Sequence, residues 1–472
     1  PRVDSLLSRL SDPSKTLERE KEMEISTNKK TPTEGVMIDP GPSRAALLGG
    51  ASSPQDVWST SRLLFCLASF AMVGIASMLR NPMIWLGNAL FGRYGIALGA
   101  PPGSVTAFLS GEGGYHTYRI PALLVLPSGH LLLFCEGRKR GSADDGWIDL
   151  VYKRSVDGGK SWGMLQILHS EGDDSTPTTI GNPCPAIVDG RVFIAFSRNN
   201  SQVRCRVCVT MRCDFNALRF QHGRACLSGS NPTTTIFLAI FLQVLTLHSV
   251  DANGFVWPKT PTDISHQVFG AASVGWVAPG PPGALVLSSG RVLVPYNVGP
   301  KVDDTGSGTF FSDDGGRTWS SSNLIPGANE CQAAVTADGR LLLNMRMAFS
   351  DGARLLAYSH DMGNTWSPPQ RWDIKAVECE GSMLSVSRHS GNGSVLFFSQ
   401  PGVRWIRGDL MLWFSADSGS TWQVARRIQP GPCAYSALQQ ASTEQLYVVY
   451  EIGISSAIRF AVIDIDIPNQ HL

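Results

Sequence analysis

Neither sign of charge predominates: 40 Lys+Arg stand against 39 Asp+Glu, the formal net charge is +1, and only 17% of the 472 residues are charged, against about 25% in an average globular chain. A basic nucleic-acid surface and a solvating acidic tail both need a surplus, so neither is the theme here and no nucleic-acid partner is expected. Cysteine is scarce too. Ten residues between Cys66 and Cys433 are too few for a disulfide-built scaffold and fit buried thiols or a few bridges. The densest group, Cys205, Cys208, Cys213 and Cys226, has one pair at ligand-like spacing and no second CxxC behind it, so no metal is expected. Residues 1–62 lack any apolar period that could build a core, and the expectation there is a disordered polar tail.

Turn chemistry, by contrast, is abundant. The 48 Gly and 29 Pro, with 12 Trp, fit many short strands joined by tight turns better than long helices. From about residue 115, apolar runs follow turn residues repeatedly, as at Gly190–Phe196, Gly290–Pro295, Gly339–Asn344 and Gln445–Tyr450, each the mark of a hairpin leading into a strand. One long hydrophobic run stands upstream of them. Leu63 to Leu79 is seventeen residues without a charge, between Arg62 and Arg80, the lower limit for a bilayer-spanning helix. With the apolar residues that continue to 92, it is expected to be one apolar helix serving as a membrane anchor; an uncleaved signal sequence and a buried core helix are the alternatives. Arg44 and Arg62 on one flank and Arg80 and Arg93 on the other leave its orientation unset.

The pattern Ser-x-Asp-x-Gly-x-x-Trp occurs four times, at Ser155-Asp157-Gly159-Trp162, Ser312-Asp314-Gly316-Trp319, Ser359-Asp361-Gly363-Trp366 and Ser415-Asp417-Gly419-Trp422. Asp accepts backbone N–H bonds inside a tight turn, Gly takes a φ that other residues resist, and Trp packs between adjoining sheets. These residues are therefore structural. The signature resembles the Asp box of sialidases and a few other β-propellers, which implies an all-β, six-bladed propeller over 101–472. A fifth copy is broken: Val207–Met211 leads to Asp214, and the matching Gly254-Phe-Val-Trp257 follows only after thirty-nine residues, 215–253. That segment is expected to be an insertion spliced into a blade, with a surface loop as the alternative, and deletion of 216–253 is expected to rejoin a regular hairpin.

Beyond the repeat, Tyr118-Arg119-Ile-Pro121, Asn329-Glu330-Cys-Gln332 with Asn344-Met-Arg346, the Arg407 segment before the last box, Gly431-Pro-Cys-Ala-Tyr435-Ser436 and Tyr447–Glu451 follow one another as the catalytic segments of sialidases do. Over roughly 115–460 the chain resembles that family, most closely the animal lysosomal type. The resemblance implies a retaining exo-α-sialidase acting on sialylated glycoproteins, glycolipids and oligosaccharides, without a metal or organic cofactor, at a lumenal or cell-surface membrane. It implies Tyr435 as nucleophile, Glu330 as its base, and Asp144, with Asp145 as an adjacent rival, as acid/base on a mobile loop. Arg138 would line the pocket and Glu451 would hold Arg119.

The chemistry has its own logic. A sialic acid carries a carboxylate on its anomeric carbon, and planar guanidinium groups grip a carboxylate by two parallel bonds. Arg119, Arg346 and Arg407 are the three expected to do so, with Arg404 the rival for the third place. An anionic nucleophile would be repelled by the same carboxylate, which favours a phenol with a base beside it. The alternative function is a catalytically inactive propeller that binds sialylated glycans. Asn199-Asn-Ser201 and Asn392-Gly-Ser394 are glycosylation sequons, and Arg407-Gly-Asp409 is expected to be part of the site and not an adhesion motif.

Overall fold

The computed structural model describes residues 86–87, 91, 95–200, 238–246, 250–251, 254–255, 260–270, 276–299, 305–347, 352–387 and 393–465. The expected tail, the run 63–79, Cys205–Cys226 and the sequon at Asn392 lie outside them. Among the described residues no helix is long and apolar enough to cross a membrane, and a five-residue helix, Ser265–Phe269, accompanies the strands.

The chain is all-β, built of antiparallel meanders taken in sequence order. Thr117–Val125, Leu131–Arg138 and Ile148–Ser155 form the first, with Gln166–His169 on its outer edge. Thr178–Val188, Arg191–Asn200, Leu238–Thr246 and Thr262–Asp263 form the second. A third centres on Val292–Gly299 and Gly306–Ser312, and a fourth runs Ala328–Val335, Leu341–Met347, Arg354–Ser359, Gln370–Trp372. Ser382–Ser387, Ser394–Pro401 and Gly408–Ser415 then pair onward through the long strand Gln423–Gln440 to Gln445–Ile452 and Ala457–Asp464. Val105–Leu109, from the other end of the chain, completes that last sheet beside Ala457–Asp464. Leu131–Arg138 and Val292–Gly299 are buried along their whole length, because both faces of each sheet pack on neighbours; burial without alternation is the result.

The Ser-x-Asp-x-Gly-x-x-Trp turns behave as their chemistry requires. In each, the Ser hydroxyl accepts the Gly amide, at 2.8 to 2.9 Å, and donates to the Asp carboxylate at 2.7 to 2.8 Å. Gly159, Gly316, Gly363 and Gly419 all take φ between +86° and +89°, and a Cβ at Gly363 would stand 2.1 Å from Leu293 Cδ1, so only Gly is accommodated. Each Trp reaches a neighbouring sheet: Trp162 meets Phe460 edge-on at 5.5 Å, Trp319 meets Phe193 at 5.6 Å, Trp366 Nε1 donates to Thr309 Oγ1 at 3.0 Å, and Trp422 stacks on Trp372 at 4.6 Å. Trp366 is 5% exposed. Trp366→Ala is expected to cost about 3–5 kcal/mol, read as a lowered midpoint in thermal or urea unfolding; an unshifted midpoint would show that these indoles do not staple the sheets.

These turns also confer acid sensitivity. The Ser161 hydroxyl and amide hold the Asp157 carboxyl down at about 2, and the Thr318 hydroxyl likewise depresses Asp314. At Asp361 and Asp417 burial opposes ionisation, but the Thr365 and Thr421 donors outweigh it. Carboxyls that titrate lower in the folded than in the unfolded chain stabilise fully above the unfolded value, about pH 4, and lose that contribution as pH falls toward 2. Thermal midpoints taken from pH 5 to pH 2.5 should therefore fall steeply for the native chain and less steeply for Asp157→Asn. Parallel curves would refute the linkage.

One expectation needs correction. Within 215–253, expected to be spliced into a blade and removable by deletion, residues Leu238–Thr246 are not a surface loop: they pair with Arg191–Asn200 over nine residues, from Arg191 opposite Thr246 to Asn199 opposite Leu238. The physical reason is that an unbroken run of nine residues, LAIFLQVLT, without turn residues satisfies an otherwise open strand edge. Deleting 216–253 would remove a paired strand. The place it occupies is the one expected for Val207–Met211, which lies outside the described residues. Asn199 itself sits within the paired strand Arg191–Asn200, flanked on both sides, and not on an open loop.

Candidate active site

Four of the strand pairs that open these meanders break register where a polar side chain is needed. Shifts fall between Arg119 and Ala122, between Gly181 and Cys184, between Ala328 and Cys331 around Glu330, and between Cys433 and Ser436 around Tyr435. Bulges of this kind re-aim side chains out of the alternating pattern. The first has a visible cost and a visible restraint. Ile120 takes φ +57°, which a β-branched residue resists, and its amide is held by Glu451 Oε1 at 2.8 Å.

Around the fourth bulge the site assembles. Tyr435, 6% exposed, donates its phenolic proton to Glu330 Oε1. Glu330 Oε2 accepts from Arg346 Nη1 at 2.8 Å, and the same Nη1 lies 3.4 Å from the Tyr435 oxygen. The Arg119 guanidinium stands 4.9 Å from the Tyr435 ring centroid and that of Arg407 5.5 Å. Three guanidinium groups from three different meanders thus surround one phenol.

Of these three, the two more buried, Arg119 and Arg346, are each oriented by a carboxylate. Glu451 takes Arg119 Nε at 3.2 Å and Nη2 at 3.3 Å, while Glu378 Oε1 takes Arg346 Nε at 3.1 Å and Nη2 at 3.0 Å. Burial disfavours charge on both guanidiniums, but Glu451 and Asp144 at Arg119, and Glu330 at Arg346, outweigh it and hold them firmly cationic. Burial, and next the charge of Glu330, pushes the Tyr435 phenol well above its ordinary value, so at rest it keeps its proton and requires a base to lose it.

Asp144 is the member of the pair Asp144/Asp145 whose carboxylate enters the cluster: its Oδ1 meets Arg138 Nη1 at 2.8 Å and Arg119 Nη1 at 3.2 Å. Arg407, half-buried, also reaches toward the Glu378 carbonyl at 3.5 Å, whereas Arg404 is exposed and stacks on Trp405 at 4.6 Å. Asp409 of the Arg-Gly-Asp tripeptide accepts the Gly431 amide at 2.7 Å and braces the strand that carries Tyr435. Arg138 is the departure. The expectation that it lines the pocket meets a side chain 1% exposed, whose Nε and Nη2 bind Glu136 Oε2 at 3.0 and 2.6 Å and whose Nη1 binds the carbonyls of Ser142 and Ala143. It is enclosed because Glu136 beside it needs a cation.

Sequence reasoning missed Glu136, Glu378 and Glu380. Glu380, 1% exposed, accepts the Ser436 amide at 3.1 Å and is held well above the carboxylate range by burial and then by the charge of Glu330. A signal was present: Val377-Glu-Cys-Glu-Gly places two carboxylates in a chain sparing with charge. Among the described residues no three His, Cys, Asp or Glu side chains gather as a metal site would need, and the five described cysteines, Cys135, Cys184, Cys331, Cys379 and Cys433, are buried and unbridged.

The arrangement gathers three guanidinium groups around a buried phenol that is hydrogen-bonded to a carboxylate, a geometry chemically suited to receiving a small acid. Residues 239–448 match the family model of the BNR repeat-like domain. The chain is 28% identical over 381 residues to a sialidase of Micromonospora viridifaciens, covering 76% of this chain and 54% of that protein. It is 30% identical over 303 residues to human Sialidase-4, covering 58% of this chain and 56% of that one. Among solved structures, the Hadza microbial sialidase Hz136 superposes with a TM-score of 0.62 at 24% identity, over 76% of this chain and 68% of that chain, a likeness of fold. The chain spans just over half the length of these two curated relatives. In sequence and repeat pattern it is thus similar to sialidases and to the BNR, or Asp-box, repeat domain.

Proposed function

We propose that this chain is an exo-α-sialidase, hydrolysing terminal sialic acid from glycoconjugates with retention of configuration. The observation that carries the proposal is the Tyr435–Glu330 hydrogen bond set inside the cage of Arg119, Arg346 and Arg407. The three guanidiniums would grip the sugar carboxylate and fix the anomeric carbon over the phenol. Tyr435 attacks that carbon as Glu330 takes its proton, and Asp144 protonates the departing oxygen; water, activated by the Asp144 carboxylate, then releases the sugar from tyrosine. Two displacements give net retention.

The scaffold in this proposal is a six-bladed propeller. Its support is the order of the box tryptophans, each touching the preceding group of strands, with Trp162 reaching Phe460 and Val105–Leu109 pairing with Ala457–Asp464 so that the first group meets the last. The apolar run 63–79 would bring the enzyme to a membrane on the lumenal or outer face, where sialylated glycans stand. Release of free sialic acid from a fluorogenic sialoside, followed from pH 4 to pH 8, tests the activity. Specific binding of the sialoside with no release at any pH would replace the enzyme by a glycan-binding propeller.

A further inference from the structure

The acid residue of this site is bound twice over, and by two arginines with different anchors. Arg138 is fixed from behind: Glu136 Oε2 holds its Nε and Nη2, Glu136 Oε1 is in turn held by the Asn182 amide at 3.0 Å, and Gly181 leaves that oxygen its space, since a Cβ there would stand 2.3 Å away. Its remaining Nη1 gathers the Ser142 and Ala143 carbonyls and Asp144 Oδ1. Arg119, fixed by Glu451, offers Nη1 to the same Asp144 oxygen. That Nη1 is also the corner of Arg119 which Glu451 leaves available to a substrate carboxylate. Asp144, its side chain 60% exposed, is thus an internal anion resting on the anion grip.

Resting on the sialidase reading, we propose that Arg138 and Glu136 are positioning residues that hold the Asp144 loop, and that an incoming sialic acid carboxylate takes Arg119 from Asp144 and thereby makes Asp144 accept a proton. The groups facing Asp144 are Arg138 and Glu136 from Leu131–Arg138, Arg119 from Thr117–Val125 and Arg407 from the segment before Gly408–Ser415. Although the Asp144 side chain is largely exposed, the desolvation of the surrounding site works against the carboxylate form, but Arg138 and then Arg119 overcome it and keep the Asp144 carboxyl below its ordinary value. Such a group is a poor acid catalyst, since it holds no proton to give. Substrate binding removes one cationic partner and adds an anion, both of which raise its proton affinity. One proton enters from solvent; it passes to the glycosidic oxygen as the C–O bond to the leaving group breaks and the bond to Tyr435 forms, and the Tyr435 proton goes to Glu330.

Titration calorimetry of the full chain with 2-deoxy-2,3-didehydro-N-acetylneuraminic acid, a carboxylate-bearing analogue, in two buffers of different ionisation enthalpy reads the proton uptake directly. Between pH 4.5 and 6.5 the native chain is expected to take up a fraction of a proton and to bind more tightly as pH falls, by up to about tenfold per unit; Asp144→Asn, a change at an exposed side chain, is expected to bind with no uptake and a flat pH dependence. Arg138→Lys is expected to lower kcat more than tenfold while the analogue dissociation constant stays within threefold. Binding by the native chain without uptake overturns the coupling and leaves the sialidase reading intact. Uptake that persists in Asp144→Asn assigns the proton elsewhere and overturns it too, and a weakened analogue with unchanged kcat in Arg138→Lys restores Arg138 to the pocket wall. If the native chain does not bind the analogue at all, the sialidase reading fails and this proposal with it.

Discussion

Tyr435→Phe is expected to lower kcat on a fluorogenic sialoside by about four orders of magnitude or more, with the protein still folded. The substitution deletes one oxygen. The ring keeps its packing against Ile120 and Cys379, so the core loses no volume, and Glu330 keeps Arg346 at 2.8 Å, so no buried carboxylate is stranded. What disappears is the atom proposed to bond to the anomeric carbon, and with it the proposed covalent route; the three guanidiniums remain and analogue binding should survive within a few fold. Turnover and thermal midpoint measured on the same preparation separate chemistry from folding. Near-native turnover by the variant would end the assignment of Tyr435 as nucleophile.

Arg119→Lys should lower kcat/KM by about 2–4 kcal/mol in transition-state terms, or roughly 30- to 1000-fold, although the charge is kept. Arg119 spends Nε and Nη2 on Glu451 and still has Nη1 facing the site. A lysine ammonium is a single point and cannot satisfy the buried Glu451 and a substrate carboxylate from opposite edges at once. Arg119→Ala, by contrast, would leave Glu451, 1% exposed, without its cation, a loss of about 3–5 kcal/mol of stability that confuses binding with folding. Unchanged kcat and KM in Arg119→Lys would remove Arg119 from the grip.

Certain parts of this molecule could be read without coordinates. The Ser-x-Asp-x-Gly-x-x-Trp turns are local devices: the Ser155 hydroxyl serves the Gly159 amide four residues on, and Asp157 serves Ser161. Spacing along the chain is then spacing in space, and the motif announces itself. Strand runs such as Gly339–Asn344 were legible for the same reason, as apolar stretches that follow turn residues. The role of Arg138 was not. Its motif placed it near the acid loop, but whether a guanidinium faces a pocket or a buried Glu136 depends on which neighbour the sheet brings to it. Glu378 is similar, for nothing in Val377-Glu-Cys-Glu says that one of its carboxylates will orient an arginine thirty-two residues earlier. The run Leu238–Thr246 shows the converse, an apolar stretch whose place in a sheet was decided by the open edge of Arg191–Asn200.

An all-β chain of repeated hairpins, with its stapling turns and its inventory of arginines, is written in short-range patterns, because hydrogen bonds across a turn and alternation along a strand need only a few consecutive residues. The meeting of Arg119, Glu330, Arg346, Arg407, Tyr435 and Glu451 is not, since up to 332 residues separate the members of one ion pair. Register breaks at the opening strands aim those side chains at a common point, and a bulge is fixed by the balance of pairing and packing across several sheets. That balance exists only once the chain has folded.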